Sequence, residues 1–406
     1  MIKEIISWFL CIPITLYCLN ASHFLLWAYK PYSQWEIFLK PSLFFVAICS
    51  MALVFFEKKV SLKIAKDQSW QYYVIFILGV VLIDILKNEK IVPNKTALLF
   101  YAICLPLLLS ENNYRKIFTL IILGIGSLAF LNIITAFHWL GFCDLPNIPV
   151  ERFAGADDLY AQLFLQPISF GFFGLTEFKV EDTALIPTAR LMGWSPEPIH
   201  WGYLVMTAAS YAVLIFNFKA SKVISFLAIY LTFLGSTAAI LVFLYFLICV
   251  VLIHQLKKIK QVLPLKINSL AFLLVVLIPG ILAPSIIAFS REVKEKIYED
   301  SVTNEHNNWE NKLEFKLFPK VSGLLIGDSS PEAQSHNFIH QCLLFFGLPC
   351  WLAFLCFLNS FFINSNPKNN YIISAIFILL INLYQCPSLL LPQSAISLAG
   401  LLKIKK

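Results

Sequence analysis

Long apolar stretches broken by short polar segments run along the whole chain. They predict helices near 5–27, 37–56, 71–87, 97–110, 117–138, 201–217, 223–253, 269–290, 337–358 and 371–386, with a short last one near 388–402. The runs are continuous rather than alternating, so they read as membrane helices and not as strands of a barrel. The expected fold is all-α, a polytopic membrane protein forming a single integral-membrane domain over 1–406.

Composition sharpens this. Charged residues make up 14 % of the 406 positions, against about 25 % in soluble domains. Apolar residues reach 59 % and mean hydropathy is +0.75. A water-soluble globule lacks the interior volume to hide so much apolar surface. Disorder, a collagen-like fibre, a coiled coil and a disulfide-stapled module are excluded by the same numbers. Of the ten cysteines, Cys11, Cys18, Cys49, Cys104, Cys249 and Cys356 lie inside apolar runs and read as small core or lipid-facing residues. Cys143 and Cys386 could pair outside the cytoplasm. The segment Ile5–Leu19 lacks an A-x-A cleavage site, so it reads as an uncleaved first helix.

Orientation follows from lysines. The segment Glu57–Trp70 carries Lys58, Lys59, Lys63 and Lys66. The segment His254–Asn268 carries Lys257, Lys258, Lys260 and Lys266, and the tail holds Lys403, Lys405 and Lys406. Placing all three in the cytoplasm satisfies the positive-inside rule. The run 223–253 must then cross twice, turning near Gly235-Ser236-Thr237, where small polar residues permit a tight turn. The result is about twelve spans with both termini cytoplasmic. Two long loops, 139–200 and 291–335, face outward. The first has three basic residues against eight acids and the second six against nine. The overall charge of +7 thus comes from anchoring lysines, with no basic stripe suited to nucleic acid.

Ionisable groups inside a bilayer are the usual sign of a transport path. Here the spans are nearly bare, with Lys40 and Asp84 near helix ends where snorkelling accounts for them. Polar chemistry gathers instead in the outward loops. Arg190-Leu-Met-Gly193-Trp-Ser-Pro-Glu197-Pro198-Ile-His200-Trp-Gly202 leads straight into a span. Guanidinium suits bidentate binding of phosphate, and Glu or His suits proton transfer. The plainer reading is an Arg190–Glu197 salt bridge, with Trp194 and Trp201 as interfacial anchors. In His336-Asn337-Phe-Ile-His340 the two imidazoles share one helical face. No third ligand stands at a metal spacing, and an interfacial helix start needs no function. Gly323-Leu-Leu-Ile-Gly327-Asp328 reads as a turn. Arg291 could meet an anion or anchor at headgroups, and Asp157-Asp158 is a solvated loop feature without the D-x-D spacing of metal-dependent glycosyl transfer.

Taken in order, R-x-x-G-x-x-x-E-P-x-x-x-G before a span, Ser236-Thr237 in the next hairpin, Trp309, Gly323, Gly327, and H-N-x9-G at His336, Asn337 and Gly347 resemble the bacterial Wzy-type O-antigen polymerase and O-antigen ligase superfamily. The likeness covers roughly 185–358 by motif. It implies a GT-C-like, metal-independent, inverting glycosyltransferase of the bacterial inner membrane. Its active site would be periplasmic, with no cofactor, acting on undecaprenyl-diphosphate-linked oligosaccharide as donor and acceptor. By the same resemblance Arg190 and Arg291 bind the diphosphate, and His336 and Glu197 are the candidates for the base. His200, Asn337 and His340 are secondary candidates, and a chain-length regulator and a flippase are expected partners. This sequence departs from the family in having Glu305-His306-Asn307-Asn308 before Trp309 and Cys350 closing the G-x-x-G/T/Y pattern. The second departure and the E-P motif favour polymerase over ligase, which uses the same donor but transfers to lipid A-core. A non-enzymatic lipid-linked-sugar flippase or transporter would call for charges along a central cavity and for inverted repeats; the sequence has neither.

Overall fold

The computed structural model describes residues 2–21, 32–57, 62–88, 93–139, 142, 166–168, 175–177, 189–191, 198–234, 237–259, 321–327, 338–363, 374–376, 378–380 and 390–404. The expected span 269–290 and the Cys143–Cys386 pairing lie outside them. The described helices are α1 (Ile2–Ala21), α2 (Tyr32–Glu57), α3 (Gln68–Asn88), α4 (Pro93–Leu99), α5 (Leu105–Leu108) and α6 (Glu111–Trp139). There follow α7 (Pro198–Phe216), α8 (Ala220–Leu234), α9 (Thr237–Ile259), α10 (Phe338–Ile363) and α11 (Pro392–Ile404). A π-helical stretch, Phe100–Cys104, joins α4 to α5. Segments Ile2–Leu19, Gln68–Lys87, Glu111–Ile134 and Cys342–Phe361 are each long and apolar enough to cross a bilayer. The protein is helical and of membrane type, as its apolar runs imply.

Local chemistry sets the helix starts. Asp67 caps α3, its Oδ1 accepting from the Ser69 N–H at 2.9 Å. Ser110 caps α6, its Oγ accepting from the Asn113 N–H at 3.3 Å, and Glu111 in the first turn is paired with Arg115 at 2.8 Å. That cap starts α6 at Glu111 rather than near 117, and so brings Lys116 into the helix. Lys116 is only 3 % exposed; its Nζ donates to Ser7 Oγ at 2.7 Å and lies 2.9 Å from Glu4 Oε1. To Lys40 and Asp84, the main ionisable groups expected in the spans, the longer helix thus adds a paired lysine buried where α1 meets α6. Nearby, the Nζ of Lys403, on α11, donates to the Leu109 carbonyl at 2.9 Å.

Prolines inside spans free carbonyls that side chains then satisfy. Pro106 has no N–H to offer the Ala102 carbonyl, which accepts from the Trp70 indole at 3.3 Å. Aromatic packing closes the bundle. Tyr73 meets Phe357 and Phe76 meets Phe354 between α3 and α10, at centroid distances of 5.1 and 5.0 Å. Phe118 of α6 stacks flat on Tyr211 of α7, whose hydroxyl hydrogen-bonds Ser397 of α11. Gly400 of α11 presses on the Phe118 ring with no room for a Cβ.

The run 223–253, expected to cross twice, holds two helices, α8 ending at Leu234 and α9 starting at Thr237. One feature departs from the all-α expectation. A three-stranded antiparallel sheet, β1 (Gln166–Ile168), β2 (Leu175–Glu177) and β3 (Ala189–Leu191), lies in the first long loop. Its register pairs Thr176 with Arg190. The sheet rests against the bundle, with β2 beside α6 and β3 beside α8.

Candidate functional site

The bundle has two chemically distinct ends. At one, the lysine-rich linker's turn Leu62–Lys66 packs on α5, which runs into the start of α6 where Lys116 meets Glu4 and Lys403 meets Leu109. This is the basic end. Helix α3 leaves it, and α10 runs antiparallel to α3, as the successive pairs Tyr73–Phe357, Phe76–Phe354 and Lys87–Phe345 require. The first turns of α10, which carry His340, therefore sit at the far end. Helix α7 runs antiparallel to α6, since Tyr211 near its C-terminus stacks on Phe118 near the start of α6. The start of α7, which carries Pro198 and His200, is thus at the far end too. Both motif-bearing helix starts share the end away from the basic turn.

Each of these two helices packs closely against a neighbouring element at a motif glycine. Gly202 lies where α7 meets the end of α8 and the start of α9. A Cβ there would fall 2.5 Å from Leu234 Cδ2 and 3.1 Å from Ala239 Cβ, so any side chain at this position forces Leu234 and the neighbouring helix to shift. Its neighbour Trp201 is fully buried, with its indole donating to the Tyr230 hydroxyl. Trp201 is therefore not an interfacial anchor, because the α8 helix covers it and supplies its acceptor. Gly202→Leu is expected to destabilise the protein by about 1–3 kcal/mol through overpacking, read as a lower melting temperature of the detergent-purified protein.

The second glycine contact is between backbones. Gly347 interrupts α10 at φ 75°, ψ 178°, and Gly327 has φ 76°. A Cβ on Gly347 would lie 2.6 Å from the Leu325 carbonyl oxygen, and one on Gly327 would strike the Phe345 carbonyl. The Leu348 N–H, turned out of the helix, donates to the Leu324 carbonyl at 2.8 Å. Pro349 cannot donate to the Phe345 carbonyl, which a regular helix would require of it. Lys87, at the end of α3, supplies the missing donor: its Nζ lies 2.6 Å from that oxygen and 6.0 Å from the Phe345 ring centroid. Three elements thus clamp the short helical segment that follows His336-Asn337. Sequence reading missed Lys87, although a proline four residues after Phe345 signals a carbonyl in search of a donor. Lys87→Met is expected to cost about 1–3 kcal/mol for the unpaired carbonyl, with Lys87→Arg closer to wild type in the same melting assay.

The clamp brings Gly323, Gly327 and Gly347 together, and Gly202 lies beside the residues flanking Ser236-Thr237. Among the site candidates, the backbone of Arg190 is in β3, His200 is in the first turn of α7 and His340 in that of α10. Glu197, Arg291, His336, Asn337 and Trp309 lie outside the described residues. No protein family, curated protein or solved structure matches this chain.

Proposed function

We propose that this protein is a membrane glycosyltransferase that polymerises undecaprenyl-diphosphate-linked oligosaccharide repeat units at the extracytoplasmic face of the bacterial inner membrane. The observation that carries the reading is that the two motif-bearing helix starts, α7 and α10, share the bundle end opposite the lysine-rich turn. Under the positive-inside rule the lysine-rich turn is cytoplasmic, so a site at the far end faces outward.

The chemistry suits the residue types. A hydroxyl of one lipid-linked repeat attacks the anomeric carbon of another glycan. The new C–O bond forms as the bond to the diphosphate breaks, and the configuration at that carbon inverts. The departing diphosphate takes the electron pair, and Arg190 and Arg291 stabilise its growing charge through bidentate hydrogen bonds. His336 or Glu197 takes the proton of the attacking hydroxyl. Close seating of α7 and α10 supports this reading, since holding reacting groups in fixed register is where much of the advantage of a bound over a free reaction arises.

Deletion of the gene separates polymerase from its nearest rival. A polymerase leaves single-unit chains on lipopolysaccharide or removes the capsule. Loss of all O-antigen together with accumulated lipid-linked polymer would instead identify a ligase and overturn the proposal.

A further inference from the structure

We infer that the turn Val321–Gly327, within the second long loop, is a wedge inserted into the lipid leaflet at the far end of the bundle, with acyl chains as its partner. This role is independent of the glycosyltransferase reading.

The first ground is the surface of the turn. Val321 is 85 % exposed and Leu325 70 %, and Leu324 and Ile326 are exposed as well. An aqueous loop tip has polar residues at such positions, and a contiguous apolar tip marks a membrane or partner contact.

The second is depth. The turn docks on Gly347, which lies in the chain between Phe345, bonded to Lys87, and Cys350, packed on Gly79. Both Gly79 and Lys87 belong to the apolar run Gln68–Lys87. The turn therefore meets α10 at the level of the last turns of that run, beside the Lys87 ammonium.

The third is continuity. Leu82 and Leu86 on α3 and Leu348 and Leu352 on α10 are exposed apolar residues of the two helices that hold the clamp. The turn extends the same apolar belt.

The fourth is hydrogen bonding. Irregular backbone is tolerated at membrane depth only where protein satisfies its polar groups. Here the Leu324 N–H donates to Val321 O at 3.3 Å and the Gly327 N–H to Gly323 O at 2.7 Å. The Leu324 carbonyl accepts from Leu348 across the clamp.

The test places a polarity-sensitive fluorescent amino acid at Leu325 in the full chain, reconstituted into liposomes, with a second reporter at Val321, the most exposed residue of the turn. The expected result is blue-shifted emission, most of it lost with lipids brominated on their acyl chains and unaffected by iodide in the buffer. Iodide quenching at both positions would make the turn aqueous and overturn the inference. So would insensitivity to brominated lipid combined with self-quenching that rises with protein-to-lipid ratio, which would identify a second copy of the chain as the partner.

Discussion

Gly347→Ala is expected to abolish a stable fold at the far end, and with it any polymer made by the proposed reaction. The residue sits at φ 75°, ψ 178°, a region that side-chain-bearing residues essentially do not occupy. The conformation alone costs alanine about 1–3 kcal/mol. The new Cβ would also lie 2.6 Å from the Leu325 carbonyl oxygen and 2.9 Å from the Gly327 nitrogen. Neither neighbour can swing aside, because both are backbone, so the turn must separate from α10. Leu348 then loses its acceptor. Melting of the detergent-purified variant beside wild type reads the loss of stability. A melting temperature unchanged by the substitution would mean that the clamp is not formed.

Arg190→Ala and His336→Ala are each expected to eliminate polymer while leaving membrane insertion and protein level unchanged. In the proposed reaction the arginine offsets charge developing on a diphosphate leaving group. Removal of one preorganised donor at such a position costs about 2.7–4 kcal/mol, or roughly a hundredfold to a thousandfold in rate. Loss of a general base costs a further factor of about 10²–10⁴. Both variants should melt like wild type, which separates them from Gly347→Ala. Polysaccharide gels of a deletion strain carrying each variant provide the readout, and full-length polymer from both would discard the proposed site.

The segments Ile2–Leu19, Gln68–Lys87, Glu111–Ile134 and Cys342–Phe361 were legible because a bilayer crossing demands long apolar runs. That 223–253 holds two helices was legible from charge, since lysine-rich segments on both flanks argue against one uninterrupted span. Other features left little trace. Strands as short as Gln166–Ile168 and Ala189–Leu191 do not establish an alternating pattern. The burial of Lys116 depends on Ser7 and Glu4, distant in sequence and brought close only by packing of α1 on α6. Trp201 looked like an interfacial residue because its sequence position is a helix start; the partner that buries it, Tyr230, is on another helix. At the site, the motif glycines were readable as turns and close approaches. That Gly327 and Gly347 touch one another, and that Lys87 completes their contact, depends on the antiparallel pairing of α3 with α10. The placement of the Arg190 backbone in a strand paired with Thr176 was likewise invisible in a loop read as irregular.

The most direct measurement incubates the purified full-length protein with one defined undecaprenyl-diphosphate repeat unit and resolves the products by size. The account predicts a ladder with single-unit spacing from wild-type protein, and no ladder from Arg190→Ala. Unchanged substrate in the presence of monodisperse, normally melting wild-type protein would contradict it.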